Sequence, residues 1–229
     1  MQTQAMNISN RFRYLYFVIP KTASATVRHS LKSYTDIGYP VTAFEQHMTI
    51  EQFLKLDGAT SVFDLYFKFS FVRNPYDRIY SGYMQDRLAS VTWTKWIAAK
   101  KPIFDEIGDD FNRYLQEYVS RADVLHDWEW ICFCPMTAFT HRDGEYALDW
   151  HGKVETLTTD LKALEERLGI KIQKAGDLNV RTKAEQGLKY LHKYTRTSVQ
   201  LVNQLYRHDF DCFDYPMIDP GDLPDRLPA

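Results

Sequence analysis

Tyr16-Phe17-Val18-Ile19-Pro20-Lys21-Thr22-Ala23-Ser24-Ala25-Thr26 decides how this chain is read. The apolar and aromatic run at residues 14–19, stopped by Pro20, has the composition of a buried strand. A short loop of small residues follows, carrying one lysine and several hydroxyls. Residues 24–33 then read as a helix, with Val27 and Leu31 four apart on one face. A strand, a small-residue loop and a helix start, in that order, suit a bound phosphate. Small side chains let an anion approach the backbone N–H groups, and the helix N-terminus adds favourable partial charge. Lys21 supplies a point charge; Thr22, Ser24 and Thr26 supply hydroxyl donors. The same string also suits a plain strand-to-helix turn capped by serine.

Two familiar nucleotide motifs are missing. None of the ten glycines completes G-x-x-x-x-G-K-[ST] or G-x-G-x-x-G, which counts against a Walker-type ATPase and a Rossmann dehydrogenase. A second anion motif lies further on, in Phe71-Val72-Arg73-Asn74-Pro75-Tyr76-Asp77-Arg78-Ile79-Tyr80-Ser81-Gly82-Tyr83. Residues 65–72 form an aromatic-rich strand pattern, Asn74-Pro75 ends it, and a helix is expected from Tyr76. Arg73 thus stands at a strand end, where open α/β sheets present ligand contacts, and a guanidinium grips phosphate bidentately. Ser81, about two helical turns on, is a candidate for the same anion. An Arg73–Asp77 ion pair bracing the loop is the competing reading, and Arg78 is assigned to a structural pair of that kind.

Further along, Thr49 with Gln52 fits a capping box ahead of Ile50, Phe53 and Leu54. Residues 93–130 read as largely helical, with Phe111, Tyr114, Leu115 and Tyr118 at helical spacing. Residues 150–154 read as another strand. Leu157, Leu161, Leu164 and Leu168 mark a helix with Gly169 as its C-cap. A locally basic stretch from Lys171 to Lys193, a helix over 195–207 and a Pro-rich tail at 216–229 complete the chain. Recurring strand-loop-helix units predict an α/β fold with a mainly parallel sheet, P-loop-like and three-layered (α/β/α). With 229 residues and no composition break, a single domain is expected, its core at about 14–215.

Composition narrows the function. Lys plus Arg number 28 against 30 Asp plus Glu, a balance that removes general nucleic-acid binding. Cys132, Cys134 and Cys212 cannot all pair within one chain, so a reducing compartment is expected; Cys132 and Cys134 read as buried packing. No stretch has the roughly 20 apolar residues that span a bilayer, and the N-terminus lacks a signal-peptide layout, which together predict a soluble, cytoplasmic protein. The seven histidines are scattered and no H-E-x-x-H occurs, so no metal is expected. Trp93, Trp96, Trp128 and Trp130 are candidates for stacking on a sugar. Oligomeric state cannot be read from the sequence.

The residues quoted so far carry a resemblance. Ile19-Pro20-Lys21-Thr22 with Thr26, then Phe71-Val72-Arg73-Asn74-Pro75 with Arg78, Ser81 and Tyr83, resembles the sulfotransferases that use 3′-phosphoadenosine 5′-phosphosulfate (PAPS). The likeness is nearest to the carbohydrate-type group, sulfotransferase family 2. Trp150-His151-Gly152-Lys153-Val154-Glu155-Thr156-Leu157 with Asp160 is similar to the family's D-F-I-G-R-F-E-x-L-x-x-D stretch. Leu168-Gly169-Ile170, Leu178-Asn179 and Leu205-Tyr206-Arg207-His208-Asp209-Phe210 with Tyr215 follow its C-terminal pattern.

The resemblance implies roles. Lys21, Thr22, Ala23, Ser24, Ala25 and Thr26 would hold the 5′-phosphosulfate, the alanines through their N–H groups. Arg73 and Ser81 would hold the 3′-phosphate, with Arg181 in a basic flap over it. The reaction would be in-line transfer of a sulfuryl group to an acceptor hydroxyl of a glycan or glycolipid, leaving 3′-phosphoadenosine 5′-phosphate (PAP). Lys21 would stabilise the leaving phosphate oxygen, and His47 would be the general base, with Glu45 as the fallback. The family's K-T-G-G/A-T-S is Lys-Thr-Ala-Ser-Ala-Thr here, which makes close backbone approach less free. A small-molecule kinase converging on the same strand-loop-helix, and an inactive nucleotide-binding module, are the alternatives.

Overall fold

The structure, a computed structural model, describes residues 7–36, 47–92, 100–172 and 190–223. In chain order, the first stretch carries β1 (Asn7–Ser9), β2 (Tyr14–Tyr16), α1 (Ser24–Leu31), α2 (Ile50–Leu54), α3 (Ala59–Leu65) and β3 (Phe67–Val72). Next come α4 (Pro75–Thr92), α5 (Lys101–Ile107) and α6 (Phe111–Arg113), the last running into a π-helical turn at Tyr114–Tyr118. Then β4 (His141–Arg142), β5 (Glu145–Tyr146), β6 (Trp150–Lys153) and α7 (Leu157–Leu168) follow, and α8 (Arg196–Leu205) and α9 (Arg207–Cys212) close the series. The chain forms two compact units, each assembled from two stretches: residues 1–73 with 136–183, and residues 74–135 with 184–229.

The first unit is built on a four-stranded sheet in the order β1-β2-β3-β6. β1 runs antiparallel to β2, whereas β2 with β3 and β3 with β6 are parallel. Alternation along β2 sends its side chains to two separate cores, as the two-residue period of a strand requires. Leu15 and Phe17 pack with Ile50 and Phe53 of α2 and Ala59 and Phe63 of α3. Tyr14, Tyr16 and Val18 join Phe69, Phe71, Val27 and Leu31 of α1 and Leu157 and Leu164 of α7. The result is a mixed α/β unit with a mainly parallel sheet covered by helices on both faces. Strand pairing in β2 stops at Tyr16, three residues short of the expectation, yet the ladder continues through a bond from the Phe17 N–H to the Phe69 carbonyl at 2.9 Å.

Local chemistry sets the ends of these elements. Thr49 and Gln52 form the expected capping box: the Thr49 hydroxyl accepts from the Gln52 N–H at 3.2 Å, and the Gln52 side-chain oxygen accepts from the Thr49 N–H at 2.9 Å. Gly169 closes α7 in the left-handed conformation at φ 63°. Gly152 is required by packing rather than by its backbone. A Cβ there would lie 2.5 Å from the Phe71 ring and 2.8 Å from the Trp150 ring. Asp160, part of the late sequence motif, accepts from the Lys153 N–H and the Thr156 hydroxyl, both at 2.7 Å, and so joins the end of β6 to α7.

The second unit is helical. Tyr76, Ile79 and Tyr83 of α4 pack with Phe111, Tyr114, Phe133, Val199, Val202, Tyr206 and Phe210. Arg78 is fully buried and has the structural role expected of it, but through backbone: its guanidinium donates to the Cys132 carbonyl at 3.2 Å and the Cys134 carbonyl at 2.6 Å. Lys100 and Asp86 form a buried ion pair at 2.6 Å, with the Tyr114 hydroxyl also donating to Asp86 at 2.7 Å. Trp130 covers the Lys100 ammonium 4.0 Å from its ring centroid, which makes this tryptophan a packing residue; Trp93 and Trp96 lie outside the described residues. All three cysteines are free thiols, and Cys132 and Cys134 are buried.

Three expectations are corrected. Leu65 ends a helix instead of starting a strand, because Ala59 and Phe63, four apart, turn inward and leave Leu65 72% exposed. The helical run expected through residue 130 breaks where Gly108 takes φ 60° and Asp110 caps a new start through the Asn112 and Arg113 N–H groups. The helix expected over 195–207 is present as α8, but the tail expected from residue 216 is packed in part: the Ile218 N–H donates to the Tyr76 hydroxyl at 3.0 Å, and Ile218 and Leu223 pack on the core. Among the described residues no helix is long and apolar enough to cross a membrane.

Gly152→Ala forces a methyl into the Phe71 and Trp150 rings, an overpacking that costs about 1–3 kcal/mol. A thermal melt should therefore fall by roughly 2–4 °C per kcal/mol; an unchanged midpoint contradicts the packing reading.

Candidate functional site

The chain leaves β2 at the carboxyl end of the parallel strands and turns within a few residues into α1. It does so without a glycine, and the backbone shows it. Lys21 has φ 66° and Ala23 has φ 57° with ψ 26°, so two of the five non-glycine residues with positive φ among those described fall in this one loop. Each such conformation costs an L-residue roughly 1–2 kcal/mol. Left-handed residues of this kind, set between ordinary ones, turn successive N–H groups toward one side and form an anion-binding concavity. Ala23 is also the N-cap of α1; no side chain caps that helix, and its first turn holds no acidic residue. The exposed end of the α1 dipole therefore favours a negative ligand.

Each loop residue contributes differently. The Thr22 side chain is fully buried and its hydroxyl donates back to the Ile19 carbonyl at 2.9 Å, so what Thr22 has to offer an anion is its backbone N–H. Ala23 can act only through backbone. Ser24 and Thr26 are half-buried and Ala25 is exposed on the first turn of α1. Arg73, just past the end of β3, reaches the loop directly: its guanidinium donates to the Lys21 carbonyl at 3.3 Å. Below it, the Ser70 hydroxyl donates to the Phe17 carbonyl at 2.7 Å and locks β3 to the chain entering the loop. The two sequence motifs, 52 positions apart, thus meet in one place through Arg73 and Lys21.

His47 is brought to the same strand end. Its Nδ1 lies 2.8 Å from the Val18 carbonyl. A carbonyl can only accept, so Nδ1 carries the proton and the lone pair of the neutral ring is on Nε2. Burial lowers the His47 pKa first, and the nearby charges of Arg28 and Lys21 lower it further against the opposing pull of Val18, to about 4. His47 is consequently neutral at physiological pH, in a defined tautomer, within the field of two cations. The Thr49 capping box starts α2 two residues later and fixes the chain that carries this imidazole.

Arg28 is the residue that sequence reading passed over. It stands one helical turn beyond Ser24, and its Nε donates to the Ser24 carbonyl at 3.3 Å. No sequence signal marked it, because a basic residue in the last turn of a short helix is ordinary. Of the other expected site residues, Ser81 lies half-buried on α4 of the second unit, and Glu45 and Arg181 lie outside the described residues.

Ala23→Gly removes the left-handed penalty at the α1 cap and should raise the melting midpoint by a few degrees. A lower midpoint would show that Ala23 carries no conformational strain.

The comparisons with known proteins bear on this site. A family model described as the Sulfotransferase family, sulfotransferase family 2, matches residues 4–216, which include both motifs and both units. No curated protein and no solved structure shows a significant match. The strained cationic loop after β2, Arg73 at its side and the extent of that match lead to one conclusion: the chain belongs to the sulfotransferase family.

Proposed function

We propose that the protein transfers a sulfuryl group from PAPS to a hydroxyl of a carbohydrate-bearing acceptor, with His47 taking the acceptor proton. Family membership supports sulfuryl transfer, and it removes the reason for a kinase reading. The observation that carries the mechanism is a neutral imidazole, oriented by Val18, beside the Lys21 loop. The acceptor class rests on the resemblance to the carbohydrate-type group.

The residues present suit the donor. Its 5′-phosphosulfate matches the uncapped N-terminus of α1, the left-handed turns at Lys21 and Ala23, and the Lys21 ammonium. Its 3′-phosphate suits the Arg73 guanidinium, which is already anchored on the same loop. Ser81 is the further residue that the resemblance assigns to that phosphate. During transfer, negative charge grows on the departing phosphate oxygen, and a fixed ammonium there stabilises the transition state more than the ground state. On the acceptor side, Nε2 receives the hydroxyl proton as the new oxygen–sulfur bond forms.

A conjugate acid near 4 makes His47 a weak base in the free protein. An anionic donor placed against Lys21 offsets the positive field that depresses it and raises that pKa, bringing the base closer to working pH. The sign gives a prediction. Without donor, protonation sets in only at low pH, so kcat/KM for the donor should stay flat above about pH 5 and fall below it with an apparent pKa near 4. The acidic limb of kcat, which reports the complex, should lie at higher pH.

His47→Ala should lower kcat in a sulfate-transfer assay by about 10²–10⁴, with PAP affinity within a few-fold of the parent. Unchanged turnover contradicts the base assignment. Intact PAP binding with no turnover toward any hydroxyl acceptor, in the parent itself, would favour a binding module.

A further inference from the structure

We propose that Arg28 is a catalytic residue of the transfer, a second cation that pairs with the sulfuryl oxygens as the group moves from donor to acceptor. The proposal rests on the PAPS reading above. Helical side chains lean toward the N-terminus of their helix. The bond from Arg28 Nε to the Ser24 carbonyl, 3.3 Å, fixes that lean and lays the guanidinium back toward the Lys21–Ser24 loop.

Arg28 lies in the last turn of α1, where a cation suits the helix dipole, yet its side chain is turned back to the Ser24 carbonyl, away from the last carbonyls of the helix. The guanidinium is also partly desolvated. Within its electrostatic reach is Tyr16, fully buried, whose hydroxyl has no hydrogen-bond partner among the described residues. Burial lowers the Arg28 pKa, and the Tyr16 phenol counters this; Arg28 in turn lies close enough to His47 to depress the imidazole. Lys21, Arg28 and His47 therefore share one electrostatic environment at the end of β2. A cation held out of water interacts more strongly with an anion than an exposed one does, and fixing it in advance avoids reorganisation during the reaction.

The chemistry divides the work between the cations. The acceptor oxygen forms a bond to sulfur while the bond from sulfur to the 5′-phosphate oxygen breaks. The electron pair of that bond leaves with the phosphate and meets Lys21, and the acceptor proton passes to His47 Nε2. The three sulfuryl oxygens stay anionic throughout. The planar fork of Arg28 matches two of them, a geometry that an ammonium cannot reproduce.

PAP lacks the sulfuryl group, and this provides the test. Arg28→Met keeps the aliphatic stem and removes the charge; Arg28→Lys keeps the charge and removes the fork. Calorimetry with PAP, steady-state transfer from PAPS and a pH profile are measured on the parent and both variants. Arg28→Met should bind PAP within about three-fold of the parent and lose about 10²–10³ in kcat. The acidic limb of kcat/KM should move to higher pH as His47 loses a neighbouring positive charge. Arg28→Lys should recover part of kcat and restore the limb. Turnover by Arg28→Met within three-fold of the parent overturns the proposal. So does a loss of PAP affinity equal to the loss of kcat, which would place Arg28 on the nucleotide or in the support of α1. A parent protein that binds no PAP overturns the donor reading instead, and Arg28's role with it.

Discussion

The connection from β2 to α1 is made without glycine, and the rest of the site depends on how the backbone manages it. Lys21 and Ala23 are held in the left-handed region, which a side chain disfavours by roughly 1–2 kcal/mol per residue. Strain of this size persists only where surrounding structure over-determines it. Here a set of hydrogen bonds holds the turn. Thr22 bonds back to Ile19, Arg73 holds the Lys21 carbonyl, and the Phe17–Phe69 and Ser70–Phe17 bonds fasten the chain to β3 immediately before the turn. The guanidinium bond that holds the strained Lys21 is also the one that brings the two sequence motifs together.

That arrangement ties packing to chemistry. The two-residue period of β2 sends Leu15 and Phe17 to one core and Tyr14, Tyr16 and Val18 to the other, so neither face of the strand can slip without exposing aromatics. Val18 belongs to one core by its side chain and to the site by its carbonyl, which orients His47. Tyr16 likewise belongs to the core by its ring, while its phenol sits in the field of Arg28. On the next strands Gly152 lets Phe71 and Trp150 close over β6, and Arg73 emerges from β3 directly beside the loop. The buried Lys100–Asp86 pair and the carbonyl grip of Arg78 perform the comparable fixing within the second unit.

Much of this was legible in the sequence, for identifiable reasons. Periodicity and punctuation located β2, β3, β6, α1 and α7, because apolar runs ended by Pro20, Asn74-Pro75 and Gly169 have few other solutions. The Thr49–Gln52 box was readable because its two hydrogen bonds are local. Less local features were not. α3 is a short helix whose two inward residues sit within an apolar stretch, so it merged with the strand that follows. The break after Gly108 depends on a left-handed glycine and an aspartate cap inside an otherwise helical pattern. At the site, Lys21, Arg73 and His47 stood out by residue type and spacing. Arg28 did not, since its meaning comes from the Ser24 carbonyl and a buried phenol twelve positions earlier. The turned-in hydroxyl of Thr22, expected to face a ligand, is likewise a matter of three dimensions.

The central claim is that the loop and Arg73 form a donor site selective for a 3′-phosphorylated nucleotide. Calorimetric titration of the protein with PAP and with ADP, repeated on Arg73→Ala, tests it most directly, because ADP carries comparable charge without the 3′-phosphate. A charge-assisted hydrogen bond to a guanidinium contributes about 1.5–3 kcal/mol, so PAP should bind at least about ten-fold tighter than ADP, and Arg73→Ala should erase most of the difference. Equal affinities for the two nucleotides, or a preference for PAP that survives the loss of Arg73, would contradict the account.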